Sequence, residues 1–241
     1  MKEIIFSPAY EGVVNIFSPP VPASSMLPEW YKNQPAYVGD KIILNDCGVA
    51  NLTSKKCMPI FDDITAGYIM KLESDVIVSS SKEAESIHHS LKWSMDIPNN
   101  FEPLIGTHTT EQVSHLPIPL EYSVHPFKWT NYWRILTPPG YSCMFRHPFW
   151  HSGFPFLTCS GIVDTDTYPL AVNFPFFIRN DFEGLIPLNT PIVQIIPFKR
   201  QNWVSSVKQL DLKQTDEEWK NATKKIMHRY KNNWRKIKSW K

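Results

Sequence analysis

Short apolar runs separated by Pro, Gly, Asn and Asp fill the second half of the chain, from residue 127 to residue 198. This pattern is typical of a compact β-structure with tight turns. It predicts about five strands, near residues 131–136, 141–146, 156–163, 170–178 and 191–198. The fold is therefore expected to be mainly β.

Upstream of this region the pattern mixes strands with short helices. β-branched residues predict a strand over 68–79, and apolar alternation predicts another over 87–95. The polar stretch 79–86 between them is expected to be a hairpin turn or a loop. Short helical segments are expected at three further places, 27–32, 55–64 and 110–116.

The C-terminal region carries the only long helical pattern. Thr215 and Glu218 form a capping box. Apolar residues then recur at three- and four-residue spacing: Trp219, Ala222, Ile226, Tyr230, Trp234 and Ile237. This predicts one amphipathic helix over 211–241. Its apolar side is expected to pack on the domain or a partner subunit, and its basic side offers an alternative contact with nucleic acid or a protein.

Proline placement completes the predicted organisation. Of the 21 prolines, six fall within residues 1–35, and they predict an extended N-terminal arm. A single β-rich domain is expected over 36–210, followed by the helix. A composition of 42% hydrophobic and 20% charged residues is that of a globular chain.

Charge is distributed unevenly along the sequence. The net charge is +2, yet residues 219–241 contain nine Lys and Arg and no acidic residue. The rest of the chain therefore contains 16 basic and 23 acidic residues. The sequence suggests no signal peptide and no membrane span. Four separated cysteines favour reduced thiols, and hence a cytoplasmic protein.

Two carboxylates stand out as candidate chemistry. Asp164 and Asp166 alternate, so on a strand they would share one face and could hold Mg²⁺ or activate water as a general base. The alternative is a turn, because Asp164-Thr165-Asp166-Thr167 is favourable turn chemistry.

A second candidate is a histidine site. His147 and His151, together with His125 and either of the two aspartates, could bind iron or zinc as in cupin-like barrels. The alternative is that these histidines are ordinary core or surface residues that have hydrogen-bond partners.

Several segments, read in order, resemble the dUTPase and dCTP deaminase superfamily, whose fold is the β-clip. They are Pro138-Pro139-Gly140-Tyr141, then Arg146 with Ser152-Gly153, then Gly161-Ile162-Val163-Asp164 through Tyr168, and finally the strand Ile192-Val193-Gln194-Ile195-Ile196. The resemblance covers about 65 residues. It implies a β-clip or a similar barrel, and a trimer.

The resemblance also implies roles for individual residues. Asp164 would orient or activate water, Tyr168 would pack on the deoxyribose, and Arg146 would contact phosphate. Ser152 and Gln194 would belong to the same substrate site. The sequence departs from the family at His147-Pro148-Phe149-Trp150, where small hydroxyl residues are expected, and it lacks a glycine-rich C-terminal arm.

The whole chain resembles an uncharacterised family of marine bacteriophages and bacteria. The residues that carry this resemblance include Leu27 to Lys32, Lys55 to Pro59 and Thr137 to Ser142. It implies a viral origin, with the protein in the host cytoplasm or in the virion. Three hypotheses follow: a nucleotide-binding or nucleotide-processing protein, a non-enzymatic viral structural or interaction protein on the same scaffold, and a metal-dependent enzyme.

Overall fold

A computed structural model describes residues 2–39, 41–44, 50–83, 86–113, 115–208, 216–218, 220 and 230–241. The chain divides into two compact units. The larger one, called here the sheet unit, comprises residues 1–26 and 67–200. The smaller one comprises residues 27–66 and 201–241, and is called here the small unit.

The sheet unit contains fourteen described strands. They are β1 Ile5–Pro8, β2 Val21–Pro22, β3 Tyr68–Lys71, β4 Val76–Glu83, β5 Ser86–Trp93, β6 Ile105–Thr107, β7 Phe127–Trp129, β8 Trp133–Leu136, β9 Tyr141–Arg146, β10 Phe156–Thr158, β11 Gly161–Val163, β12 Phe174–Ile178, β13 Gly184–Ile186 and β14 Pro191–Lys199. The α-helices described in this unit, α1 Val13–Ile16 and α4 Thr110–Val113, have four residues each.

These strands pair antiparallel in four sheets. The five-stranded sheet has the order β11-β9-β14-β3-β2, and the four-stranded sheet has the order β10-β12-β7-β6. The remaining two sheets are β13-β4-β5 and β1-β8. Among the described residues none of the four sheets closes into a barrel, so the barrel alternative for the fold is not found.

Aromatic residues dominate the core of the sheet unit. Trp129 stacks on Phe176 with 3.6 Å between ring centroids, and Phe156 meets the Trp129 ring edge-on. The Trp129 indole N–H donates to Thr158 Oγ1, whose hydroxyl in turn donates to the Ile192 carbonyl. The buried polar groups of Trp129 and Thr158 therefore have hydrogen-bond partners inside the core.

The packing of the five-stranded sheet requires a glycine at position 67, directly before β3. Its φ is +67°, and a Cβ at this position would lie 1.9 Å from the Ile195 carbonyl oxygen of β14. Only glycine accommodates both the left-handed backbone and this close approach.

The small unit contains two short helices, α2 Glu29–Asn33 and α3 Met58–Ile64, and a 3-10 turn at Ser54–Lys56. Each helix has a proline at its start, where a missing N–H costs nothing. Residues 216–218 and 220 have helical backbone, and Tyr230–Trp234 forms one π-helical turn. The remainder of the predicted C-terminal helix, including Trp219 and Ile226, lies outside the described residues.

The mainly β fold that the sequence predicts is confirmed. The strand at 141–146 is confirmed, and the one at 191–198 extends by one residue. The strand expected over 156–163 is two strands, because the chain leaves one sheet after Thr158 and enters another at Gly161. Of the two alternatives for 79–86, the hairpin is confirmed, because β4 and β5 pair antiparallel and their ladder continues to the pair Glu83 and Ser86.

Two further expectations concern the N-terminal segment and membrane-spanning helices. Within residues 1–35, β1 pairs with β8 and β2 pairs with β3. The role of this segment as an arm stays a prediction. No helix in the described parts of the chain is long and apolar enough to cross a bilayer.

Candidate functional site

Strands β9, β11 and β14 place the predicted site residues on one sheet. The register pairs Arg146 with Gln194, Met144 with Ile196, and Ser142 with Phe198. It also pairs Ile162 with Met144. Directly opposed residues project to the same side of a sheet, and alternate residues of a strand do likewise. One face of this sheet, called here the β9 face, therefore carries Arg146, Gln194, Met144, Ile196, Ile162, Ser142, Phe198 and Asp164.

Asp164 and Asp166 lie in a turn directly after β11. The main-chain N–H groups of Thr167 and Tyr168 both donate to the Asp164 carbonyl, at 3.0 and 2.9 Å. The backbone of residues 164–168 thus forms a turn, which was one of the two alternatives for this segment. The two carboxylates, however, reach across to other segments of the chain.

Arg200 joins these carboxylates to the end of β14. Its guanidinium donates to both Asp166 oxygens, at 2.7 Å for the first, and lies 3.2 Å from Asp164 Oδ1. The Gly140 N–H donates to Asp166 at 2.8 Å, and the Ser142 hydroxyl donates to Asp164 at 2.7 Å. We call these five residues the Arg200 clamp.

The clamp gives the two aspartates different properties. Hydrogen bonds from Arg200 and from the Gly140 N–H lower the pKa of Asp166 to about 2. The Asp166 side chain is only 5% exposed, whereas that of Asp164 is 60% exposed. Asp166 is therefore a fixed anion with its acceptors in use, which does not suit a general base. Asp164 is the carboxylate that a ligand can reach.

The clamp also bears on magnesium. A guanidinium already lies between the two carboxylates and offsets one of their two negative charges, at the place where a divalent cation would have to bind. The residues do not fit Mg²⁺ in this arrangement. Asp164 and Asp166 were expected to bind one metal ion together. In the structure they instead bind one guanidinium, that of Arg200.

Sequence reasoning missed Arg200. Its position directly after an apolar strand was the available signal, but its partners lie 34 and 36 residues upstream. Only the pairing of β14 with β9 and of β9 with β11 brings these segments together.

Arg146 and Gln194 form a second fixed group on the β9 face. The Arg146 Nε and Nη2 atoms donate to Gln194 Oε1, at 3.2 and 3.0 Å. Gln194 is buried. It therefore orients the guanidinium and offers little surface of its own to a ligand. Arg146 stands four residues from Ser142 along β9, a separation of about 14 Å.

The other predicted substrate residues lie on loops. Tyr168 is partly exposed, and its N–H is bonded in the turn that carries Asp164. Ser152 is exposed in the segment 147–155 between β9 and β10. The structure thus brings Tyr168 beside Asp164 and places Ser152 in the loop that follows Arg146.

His147 is embedded among aromatic rings. It meets Phe154 and Phe156 edge-on, and its Nδ1 accepts from the Thr158 N–H at 3.3 Å. Burial, and secondarily the nearby His151, lower its pKa to about 4. His151 stacks on Phe154. Within the described residues, no group of three or more His, Cys, Asp or Glu side chains is placed to hold a metal ion.

The thiol of Cys143, next to Ser142 of the clamp, is made unreactive by burial. Cys143 lies on the core side of β9, and its pKa is raised to about 11 by burial. Thr165 donates to its sulfur at 3.4 Å and also bonds to the Thr137 hydroxyl. These contacts tie the turn after β11 to the core, so Cys143 is structural.

Comparisons with known proteins add no relative. No family model matches the chain, and no significant match was found among curated proteins or solved structures.

Proposed function

We propose that this chain binds a nucleotide along the β9 face of the sheet unit, on a fold of dUTPase-like, β-clip ancestry. The observation that carries the proposal is the placement of Arg146 and Asp164 on one face, separated by an apolar strip of Met144, Ile196 and Ile162. The two ends of this face differ in charge, as the two ends of a nucleotide do.

The Arg146 end suits the phosphates. A guanidinium offers a planar set of donors that matches phosphate oxygens, and orientation by a buried partner reduces the entropy lost on binding. Gln194 supplies that orientation. Ser152, in the loop that follows, would add a hydroxyl donor.

The Asp164 end suits the sugar and base. A carboxylate would repel phosphate but accepts hydrogen bonds from sugar hydroxyls, base N–H groups or a bound water. Tyr168 lies in the same turn and would pack on the sugar or base. Because Asp166 is held by Arg200, any activation of water would fall to Asp164 alone. The proposal is therefore binding, with catalysis left to a product assay.

The test is thermal unfolding of the full chain with deoxynucleotides, each with and without Mg²⁺. Ligand at 100 times its dissociation constant stabilises the native state by about 2.7 kcal/mol and raises the melting temperature. We expect the shift to be lost in Arg146→Gln and strongly reduced in Asp164→Asn. Titration calorimetry gives the affinities.

Arg179→Gln is the matched control, because Arg179 is an arginine of the same unit that is paired with Asp181. It should keep the shift. A flat panel for the unsubstituted chain, or an equal loss of the shift in Arg179→Gln, would reject the nucleotide site.

A second candidate is a viral structural or interaction protein that assembles into homo-oligomers, a trimer by the family resemblance. It is favoured by the segment 201–208, where Trp203, Val204 and Val207 are almost fully exposed. Such a run is costly in water unless a partner covers it. Light scattering after size exclusion tests it: the unsubstituted chain should be oligomeric, and Trp203→Ser with Val204→Ser should yield monomers.

A further inference from the structure

Aromatic and basic residues are interleaved in the last twelve residues of the chain. The segment 230–241 reads Tyr-Lys-Asn-Asn-Trp-Arg-Lys-Ile-Lys-Ser-Trp-Lys. After the π-helical turn at Tyr230–Trp234, residues 235–241 have no regular secondary structure. The two residue classes therefore follow one another along an irregular chain, and they are not separated onto two sides of a long helix.

This segment is anchored to α3 of the same unit. The Arg235 guanidinium donates to Asp62 at 2.6 and 3.0 Å, and the Lys238 ammonium donates to the same carboxylate at 2.8 Å. Arg235 also lies over the Phe61 ring, 5.5 Å from its centroid. The Arg235 and Asp62 side chains are only 13% and 11% exposed. The anchor holds the residues on either side of it in defined positions.

The residues beside the anchor face solvent. Trp234 is 53% exposed, and Tyr230, Lys231 and Lys236 are exposed as well. Half of a large indole surface thus stays accessible, next to ammonium groups. This arrangement offers a ring for stacking and cations for pairing, on a segment whose position is already fixed.

The charge of the whole unit has the same sign as this surface. The small unit contains fifteen basic and nine acidic residues, a net charge of +6. The sheet unit contains ten basic and fourteen acidic residues, a net charge of −4. A polyanion is therefore drawn to the small unit over the sheet unit.

We infer that residues 230–241, held by the Asp62 anchor, bind single-stranded nucleic acid. Exposed bases stack on aromatic side chains such as Trp234, and phosphates pair with Lys231 and Lys236. In a duplex the bases are stacked on one another, so the rings would have nothing to stack on. An anionic lipid surface favours a helix with separate apolar and basic sides. The interleaved order on this irregular segment favours the single strand.

The test is fluorescence anisotropy of a labelled oligothymidylate of about 12 nucleotides with the full chain. We expect binding that weakens with salt, and a loss of about tenfold in affinity in Trp234→Ala. In Lys231→Gln with Lys236→Gln, the slope of log K against log salt should fall by about 1.4. Arg235→Gln should also weaken binding, because it releases the anchor.

The control is Lys82→Gln with Lys92→Gln in strands β4 and β5, which removes the same charge from the sheet unit. It should leave affinity and salt slope unchanged. The inference is overturned if the oligonucleotide does not bind, if Trp234→Ala binds as tightly as the unsubstituted chain, or if the control pair loses as much. It is also overturned if duplex of equal length competes equally, or if anionic vesicles bind and the oligonucleotide does not.

Discussion

Each unit contains an arginine that joins distant segments through aspartate, and the two arginines are set in different surroundings. In the sheet unit, Arg200 pairs with Asp166 and Asp164 at the end of a five-stranded sheet. In the small unit, Arg235 pairs with Asp62 on a helix of seven residues. The Arg235 and Asp62 side chains are mostly shielded from solvent, whereas Arg200 and Asp164 remain substantially accessible.

The difference follows from how much other structure each unit contains. The segments joined by Arg200 are already connected by the β14–β9 and β9–β11 ladders and by an aromatic core. The segments joined by Arg235 are 173 residues apart, and the structured elements between which it acts are short. The Arg200–aspartate contact therefore adds to segments that are already held together by strand pairing. The Arg235–Asp62 contact, in contrast, is the anchor of its segment.

The largest effect should come from crowding the sheet unit. Gly67→Ala places a methyl group against the Ile195 carbonyl at a left-handed φ, and we expect a loss of more than about 4 kcal/mol of folding stability. Gly140→Ala is the matched control: its φ is +82°, but no atom lies within 4 Å of the added Cβ. It should cost about 1–2 kcal/mol. Equal urea midpoints for the two variants would contradict the close packing of β3 on β14.

Mild acid, between pH 6.5 and about pH 5, should have the next largest effect, and it should act on the sheet unit more than on the described residues of the small unit. Burial lowers the pKa of His147 from 6.5 to about 4, so the unfolded chain takes up a proton at a higher pH than the folded one. Stability is thus full above pH 6.5 and falls as the pH drops towards 4, by on the order of 3 kcal/mol.

His89 and His125, whose pKa values are also lowered by burial, add to the same slope. The described residues of the small unit include no histidine. Protection of backbone amides from hydrogen exchange, corrected for the pH dependence of the intrinsic exchange rate, should therefore fall in β9 and β10 but not in α3 between pH 7 and about pH 5. In His147→Gln the fall should be smaller. An equal fall in both units would contradict this prediction.

Removal of each arginine compares the two pairs directly. Arg235→Gln should raise hydrogen exchange in residues 230–241 by about tenfold or more, because a charge-assisted hydrogen-bond set with few other constraints is lost. Arg200→Gln should raise exchange around Gly140 and the turn after β11 by less, because the ladders remain. If Arg200→Gln opened its region further than Arg235→Gln, the assigned roles would be reversed.

The smallest effect concerns the protonation of Asp166. Its pKa is lowered, so the contribution of the clamp is complete above about pH 4 and is lost as the pH falls towards 2. In Arg200→Gln the carboxyl should titrate nearer to its ordinary pKa of 3.8, because its principal donor is absent. Carbon-detected NMR titration measures both curves. Identical curves would show that Arg200 does not set this pKa.

The candidate site was only partly predictable, and the division falls between local and non-local contacts. Asp164, Tyr168, Arg146 and Gln194 were all named as candidates from short motifs, and the structure places them on or beside the β9 face. Their roles stay predictions. The partnership of Arg146 with Gln194 was not foreseen, because it depends on the register of two strands that are 48 residues apart. The sequence contains no short motif that joins His147 to Asp164 or Asp166, so it could not decide whether these residues form a metal site.

The sequence by itself determined the mainly β character, the strand at 141–146 and the separation of basic from acidic residues. These features depend on residue type and short-range periodicity, which the chain carries everywhere. The tertiary structure decided that Arg200 binds both carboxylate oxygens of Asp166, that Asp164 stays accessible to solvent, and that Arg235 holds residues 230–241 on α3. Each of these outcomes requires a contact between side chains tens of residues apart, which forms only when the strands and helices have packed.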